Sequence, residues 1–196
     1  MLKRIALLLF TGLFLASHAM ASPTDDVKKT VDEVVRIVAE KEMKKNIPKR
    51  RIALKKTISQ IFDYGEMAKR SLGKHWNQRT AADKKQFTDL FATLLENSYA
   101  GKIESYNNEK IAYIKENLDG DHAEVKSKVI TTKRDEFTLD YRMINQNGKW
   151  MVYDVVIEGV SLVSNYRSQF NRIITANGYG ELVKKLQSKT DELKAP

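Results

Sequence analysis

The chain has no cysteine, only three prolines and only nine glycines among its 196 residues. The lack of cysteine excludes a disulfide scaffold, a cysteine nucleophile, a zinc ribbon and a lipid-anchored lipoprotein. The scarcity of proline and glycine excludes low-complexity linkers and collagen-like repeats. Hydrophobic residues make up 42% of the chain and charged residues 30%, which is the composition of a folded domain with its own apolar core.

The first 21 residues have the three-part layout of a secretory signal peptide. Lys3 and Arg4 provide a positive start, residues 5–16 are apolar to neutral, and residues 19–21 (Ala-Met-Ala) place small side chains at the −3 and −1 positions of a cleavage site. A membrane anchor is the alternative, but the apolar run is well short of the roughly 20 residues that span a bilayer. We therefore predict a cleaved signal peptide over residues 1–21 and a soluble, exported protein.

Residues 22–196 are expected to form one domain with an uneven charge. Removal of the signal peptide lowers the formal net charge from +9 to +7, and residues 22–56 contain 11 basic and 6 acidic side chains. Such a run is most often a solvated helix face, and attraction to an anionic membrane or an acidic partner is the next alternative. Nucleic acid is disfavoured, since no aromatic residues lie between these lysines and arginines. The basic cluster comprises Lys44, Lys45, Lys49, Arg50, Arg51, Lys55 and Lys56, around Pro48.

Apolar residues recur at helical spacing before residue 110 and again after residue 160. Thr80 and Asp83 form a capping signature that opens the strongest helix, and Gly101 is expected to end it. Gly178 is expected to break the C-terminal helical segment. We predict helices over residues 27–38, 50–62, 66–72, 80–101, 161–176 and 181–193.

Between these helical segments the period of the apolar residues changes to two, which is typical of β-strands. The third strand alternates most regularly, with Phe137, Leu139, Tyr141 and Met143 on one face. The sequence Asn-Gly at 147–148 is a strong hairpin signal. We predict strands over residues 111–118, 122–132, 136–145 and 150–157. The pattern indicates an α+β fold, in which helices cover one face of a strongly curved, four-stranded antiparallel meander.

No catalytic arrangement stands out in the sequence. After loss of the signal peptide, His75 and His122 are the remaining histidines, and their spacing fits no metal-binding motif. Asp154 is a charge inside an apolar strand, and we expect it to accept hydrogen bonds from a neighbouring helix or turn. We therefore predict no catalytic residue, no metal site and no cofactor. The inward-facing aromatic residues suit a packed core as well as a ligand pocket, because both use the same residue types.

Three blocks of the sequence resemble one family. Residues 150–170, WMVYDVVIEGVSLVSNYRSQF, are similar to the central signature of the MlaC family of periplasmic phospholipid carriers, also called toluene-tolerance auxiliary proteins. Residues 62–68 (FDYGEMA) and 72–76 (LGKHW) resemble an earlier family block, and residues 80–99 resemble the helix that follows it. The resemblance extends in order over nearly the whole mature chain.

This resemblance implies a non-enzymatic shuttle in the periplasm. It would carry phospholipid between an outer-membrane lipoprotein complex and an inner-membrane ABC transporter complex, with transient contact with a membrane surface. The acyl chains would lie in a deep apolar cavity between sheet and helices, with the headgroup near solvent. The periodicity and the matching blocks together predict a cavity wall of Phe87, Phe91, Leu94, Leu139, Tyr141, Met143, Val152, Val160 and Tyr166.

Other functions stay open at this point. Hopanoid-linked relatives resemble the same family, so the ligand could be another small hydrophobic molecule. The protein could also be a periplasmic adaptor that binds no ligand and docks partners through its basic helices. A periplasmic enzyme with a small-molecule pocket is a third alternative, although the sequence offers it no convincing nucleophile or base.

We predict that the exported protein begins at Ser22, because residues 19–21 supply the small side chains that a signal peptidase requires. N-terminal sequencing of the protein recovered from the cell envelope should read Ser-Pro-Thr. Replacement of Ala21 by Leu should block the cleavage and leave the N-terminal segment attached. An exported wild-type protein that still carries Met1 would contradict this prediction.

Overall fold

The computed structural model of the protein describes residues 22–194, so the predicted signal peptide lies outside the described residues. The helices are α1 (Pro23–Ala39), α2 (Lys41–Lys45), α3 (Ile47–Ile58), α4 (Tyr64–Leu72), α5 (Ala81–Glu104) and α6 (Leu162–Lys194). The strands are β1 (Lys110–Asp119), β2 (His122–Ile130), β3 (Glu136–Gln146), β4 (Lys149–Ile157) and β5 (Val160–Ser161). The predicted α+β order of helices, meander and helices is therefore confirmed.

Polar side chains cap the helices where the sequence places them. The Ser22 hydroxyl accepts a hydrogen bond from the Asp25 amide at 3.1 Å and so begins α1. The capping box that opens α5 is formed, with reciprocal hydrogen bonds between Thr80 and Asp83. At the other end of the chain, Gly178 has φ 83° and interrupts α6, which confirms the predicted break.

The helices differ from the prediction in several places. α3 begins at Ile47, ahead of Pro48, because a proline is tolerated in the first turn of a helix, where its missing N–H has no intrahelical partner. The short helix α2 precedes α3 and has no counterpart in the prediction. α5 continues past Gly101 to Glu104, since a single glycine lowers helix stability without ending the helix.

The strands form one antiparallel sheet in sequence order, β1-β2-β3-β4-β5. Asn147 and Gly148 both have positive φ, at 54° and 88°, which is the conformation of a two-residue hairpin turn and confirms that prediction. The register shifts between Tyr113 and Lys115 in β1 and between Arg142 and Met143 in β3. Bulges of this kind bend a strand and increase its local twist.

The sheet has five strands rather than the predicted four. Glu158 and Gly159 both have positive φ, so the chain turns back immediately after β4 and forms the short strand β5. Nearer the start of β4, the backbone of Val152 exchanges hydrogen bonds with Ile61 and Asp63, at 2.7 and 2.9 Å. The outer side of β4 is thereby paired at both of these places, which shortens its exposed edge.

Three apolar clusters hold the elements together. The first joins α4, α5 and α6, and its buried members include Phe87, Phe91 and Phe170. The second lies between α1 and the sheet, around Val125 and Met143. The third is smaller and joins α1, α3 and the end of α5. Among residues 22–194, no helix combines the length and the apolar character that a membrane crossing requires.

Asp154 connects β4 to the start of α6, as the sequence predicted for a charge in an apolar strand. The residue is buried, with 3% of its surface exposed. Oδ1 accepts a hydrogen bond from the Val163 amide at 3.0 Å, and Oδ2 accepts one from the Ser161 hydroxyl at 2.6 Å. Arg142 from β3 donates to Oδ2 at 3.2 Å. The carboxylate therefore caps α6 and ties it to the two central strands.

We predict that Asp154→Ala lowers the free energy of unfolding by about 3 kcal/mol, because the buried Val163 amide and the Ser161 hydroxyl lose their acceptor. The measurement is urea unfolding followed by circular dichroism. Asp32→Ala is the matched control: Asp32 is exposed in the middle of α1, and its loss should change stability by less than about 0.5 kcal/mol. Equal unfolding midpoints for the two variants would contradict the role of Asp154.

Candidate functional site

An apolar cavity of about 1080 Å³ lies between the sheet and the helices. Side chains from β1, β2, β3 and β4 form one wall, α1 and α3 form a second, and the C-terminal part of α5 forms a third. Members of the first and the third apolar cluster both border the cavity, for example Met67 and Leu54.

The sheet wall follows from the period of two in the strands. On β3, Phe137, Leu139 and Tyr141 point into the cavity, as the alternation predicts. The neighbouring strands add only apolar side chains to this wall. Its full membership is Ile111, Val129, Phe137, Leu139, Tyr141, Val152, Val155 and Ile157.

The wall formed by α1 is a stripe of valines at helical spacing. The sequence identifies this stripe as the apolar face of a helix, but it does not tell that the face meets a cavity rather than a core. β-Branched side chains are stiff, so they give this wall a defined shape. The stripe consists of Val27, Val31, Val34 and Val35, together with Thr30.

Of the nine residues predicted for the cavity wall, Leu139, Tyr141 and Val152 line the cavity. The other six lie elsewhere. Phe87, Phe91, Leu94 and Tyr166 belong to or pack against the first cluster, Met143 is buried in the second, and Val160 is 56% exposed on β5.

The predicted α5 residues lie outside the cavity for a geometric reason. α5 is 24 residues long, and only its part from Thr93 onward borders the cavity. The earlier part packs on α6, where Phe91 meets Tyr166 edge-on with ring centroids 5.1 Å apart and Phe170 at 5.5 Å. Aromatic pairs in this geometry are closely packed and leave no room for a ligand.

Met143 and Val160 depart from the prediction for other reasons. Met143 lies beyond the bulge in β3 and is fully buried where the sheet packs on α1, so it fills core space beside the cavity. Val160 follows the tight turn at Glu158 and Gly159, and its side chain faces solvent from β5.

Tyrosines in and beside the cavity are held in their neutral form. Burial raises the pKa of Tyr141, and burial together with the nearby Glu96 carboxylate raises the pKa of Tyr64. Beside the cavity, burial raises the pKa of Tyr113 to about 12. Since these folded-state values exceed the unfolded value near 10, the stability from the neutral forms is complete below about pH 10 and is lost as pH rises through the folded-state values.

The charged residues of the lining concentrate where α3 meets α5. Lys55 pairs with Glu96 at 2.9 Å, and Arg51 pairs with Glu104 at 3.1 Å. Between them on α3, Ile52 lines the cavity although it is 70% exposed. The cavity therefore meets solvent along this border, which we call the α3 border and define as Arg51, Ile52 and Lys55.

One polar group in the cavity wall lacks a partner. Asn97 lines the cavity from α5, next to Glu96, and its amide nitrogen Nδ2 is buried with no hydrogen-bond partner among the described residues. A buried donor left unpaired costs about 1–3 kcal/mol, so an acceptor atom on a ligand in this place would be stabilised.

The histidines of residues 22–194 lie apart from each other and outside the cavity. No group of three or more histidine, aspartate or glutamate side chains in this range is arranged to hold a metal ion. His75 lies against Asn171 at 3.0 Å and His122 against Asp121 at 2.6 Å, both outside the cavity.

Known proteins that this chain resembles are named for toluene tolerance or for phospholipid transport. The chain is 26% identical over 181 residues to the toluene tolerance protein ttg2D of Pseudomonas putida, across 90% of this chain and 84% of that protein. It is 26% identical over 126 residues to the intermembrane phospholipid transport system binding protein MlaC of Haemophilus influenzae. That match covers 62% of this chain and 59% of the relative, which is less than two thirds of its length.

One protein with the same fold has a solved structure with a bound phospholipid. The phospholipid-binding protein from Ralstonia solanacearum, in complex with a phospholipid at 1.53 Å resolution, superposes with a TM-score of 0.80. It is 28% identical, and the match covers 89% of this chain and 100% of that one. A family model described as MlaC protein matches residues 28–188, and the resemblance found in the sequence is confirmed: the chain belongs to the MlaC family.

Proposed function

We propose that this protein binds phospholipid with the acyl chains in the cavity and carries it between the two membranes of a Gram-negative envelope. The observation that supports this most directly is the cavity of about 1080 Å³ with a mostly apolar lining. Pockets for drug-sized ligands typically measure about 300–1,000 Å³, so this one is large enough for a long hydrophobic molecule.

The size of the cavity argues against a structural void. A dry apolar cavity costs about 24 cal/mol per Å³, so at this volume the cost would exceed the about 5–15 kcal/mol that stabilises a whole domain. Water is a poor filler, because a buried water needs several polar partners and this lining offers few. An apolar ligand would fill the volume and would need no polar partners.

The relatives support the same class of ligand. The Ralstonia solanacearum protein, which matches along its whole length, is described as phospholipid-binding and was solved with a phospholipid. The name of the Haemophilus influenzae relative refers to intermembrane phospholipid transport. We extend both properties to this chain on the strength of the shared fold and family.

The polar groups of the cavity suit the polar end of such a lipid. Asn97 can donate a hydrogen bond to an ester oxygen, and it lies close to the α3 border, where the cavity meets solvent. A zwitterionic headgroup at this border would face the ion pairs Lys55–Glu96 and Arg51–Glu104. In this orientation the acyl chains extend toward the sheet and the headgroup stays near water.

Transfer through such a cavity removes the main barrier to lipid movement. Each CH₂ group exposed to water costs about 0.8 kcal/mol, so a 16-carbon chain would cost on the order of 12 kcal/mol. A protein cavity replaces the apolar surroundings of the bilayer, and the exchange becomes nearly isoenergetic.

This energy balance leaves no driving force in the carrier itself. Direction must come from its partners, which we propose to be an outer-membrane lipoprotein complex and an inner-membrane ABC transporter complex. The carrier is then a periplasmic protein, exported by its signal peptide, that binds its cargo without catalysis or a cofactor.

We predict that the protein purified from its host carries phospholipid in stoichiometric amount. Organic extraction followed by mass spectrometry measures both the amount and the lipid class. Recovery of hopanoid or another hydrophobic molecule would replace phospholipid as the cargo. Protein that is free of lipid after purification without detergent, and that takes up none from vesicles, would instead indicate an adaptor without ligand.

We predict opposite effects for two aspartate substitutions on one face of β3. Leu139 lines the cavity, so a carboxylate in its place can be hydrated when no lipid is bound, and Leu139→Asp should stay folded by circular dichroism. Bound acyl chains would meet an unpaired charge, and lipid affinity should fall at least about a hundredfold.

Met143→Asp is the matched control. Met143 is fully buried outside the cavity, so the carboxylate has no access to water, and the cost is comparable to the stability of the whole domain. This variant should unfold. A folded Leu139→Asp variant with wild-type lipid content would contradict the proposed position of the acyl chains.

A further inference from the structure

Nearly all of the excess positive charge lies in one short stretch. Residues 41–56, which form α2 and most of α3, contain eight basic side chains and one acidic one, a net charge of +7. The chain from residue 22 onward also has a net charge of +7, so the rest of it is close to neutral. The charge is therefore a local feature of one surface.

Part of this charge is unneutralised. Arg50 and Arg51 share Glu104, and Lys55 pairs with Glu96. Among the residues that the structure describes, Lys44, Lys49 and Lys56 form no ion pair, and all three are exposed. Unpaired, clustered lysines attract an anionic surface, and each contributes about 1 kcal/mol near anionic lipid.

An aliphatic side chain lies in the middle of these charges. Ile52 is 70% exposed, the largest exposed fraction among the large hydrophobic residues of the described chain. On a helix its surface neighbours are the residues three and four positions away, which here include Lys49, Lys55 and Lys56. The opposite face of α3 is buried at Leu54, so Ile52 points outward from the molecule.

The same residue borders the cavity. Ile52 and its neighbours Arg51 and Lys55 are the α3 border, where the cavity meets solvent. The basic surface and the opening on this side are therefore continuous. A flat surface that contacts Ile52 would also cover this opening.

We propose that residues 41–56 dock on the surface of an anionic bilayer, with Ile52 inserted between the headgroups and the surrounding lysines against the phosphates. Basic side chains beside an apolar anchor are one feature that this stretch shares with interfacial membrane-binding helices. An acidic protein partner fits less well. Protein interfaces are enriched in tyrosine and tryptophan and depleted in lysine, and this stretch has no aromatic residue and six lysines.

Docking in this orientation would bring the opening of the cavity to the bilayer. The purpose of this contact rests on the proposed function as a phospholipid carrier. With Ile52 at the bilayer surface, the opening at the α3 border faces the lipid. A lipid can then pass between bilayer and cavity with fewer CH₂ groups exposed to water, each of which would cost about 0.8 kcal/mol.

The test is co-sedimentation of the protein with lipid vesicles. Vesicles of phosphatidylcholine with about 30 mol% phosphatidylglycerol should bind the protein, and pure phosphatidylcholine vesicles should not. Binding should weaken as the ionic strength rises from about 0.1 M to about 1 M, where the Debye length falls from about 10 to about 3 Å. Ile52→Ser should weaken binding about fivefold, and the double variant Lys49→Glu/Lys56→Glu at least about tenfold.

Matched controls change residues of the same types at other places on the surface. Ile114→Ser removes an isoleucine that is 62% exposed on β1, and Lys133→Glu/Lys184→Glu reverses two exposed lysines without ion pairs among the described residues. Both controls should bind vesicles as the wild type does. Phospholipid content after extraction is measured on the double variant Lys49→Glu/Lys56→Glu and on both controls, whose substituted residues do not line the cavity. It should be unchanged in all three, which separates this inference from the proposed cargo.

Three results would overturn the inference. One is a wild-type protein that carries phospholipid but does not bind anionic vesicles. Another is vesicle binding that the control variants weaken as much as the Ile52 and lysine variants do. The third is vesicle binding that depends on Lys49 and Lys56 but not on Ile52, because it would show electrostatic adsorption to the headgroups without insertion of the aliphatic side chain.

Discussion

The walls of the cavity cannot pack against one another, and this constraint governs how the rest of the protein is stabilised. Side chains around a cavity of about 1080 Å³ lose the contacts that a packed core would give them. The apolar packing is therefore placed to the sides, in the α4–α5–α6 cluster and in the clusters that join α1 to the sheet and to α3. Asp154 links these parts through polar contacts, since it holds the start of α6 to β3 and β4.

Much of the fold could be predicted from the sequence because its signals are local. The capping box at Thr80, the Asn-Gly turn at 147–148 and the break at Gly178 each depend on a few neighbouring residues. The strands of the meander follow from the period of two. The short strand β5 could not be predicted in this way, because it depends on two consecutive residues of positive φ, and the first of them is Glu158 rather than glycine.

The cavity wall was harder to predict, because a core and a cavity use the same side chains. Phe91 and Leu139 both lie on apolar stripes of correct period, yet Phe91 is in a closely packed aromatic cluster and Leu139 faces open space. The difference comes from the crossing of α5 and α6, which is a property of the assembled fold. The valine stripe of α1 was visible in the sequence as a helix face, but only the position of α1 over the sheet makes it part of the wall.

The division between packed core and cavity wall also bears on how the sequence can change over evolution. In the core, the ring of Phe91 meets those of Tyr166 and Phe170 at fixed angles, so a change of side-chain volume creates a hole or a collision. On the wall, a shorter side chain at Val31 or Ile157 enlarges a space that is already open and leaves the packed clusters unchanged. By this argument, changes in side-chain volume are tolerated more readily on the wall of the cavity than in the aromatic cluster, which reverses the usual expectation that the lining of a pocket is the least changeable part of a protein.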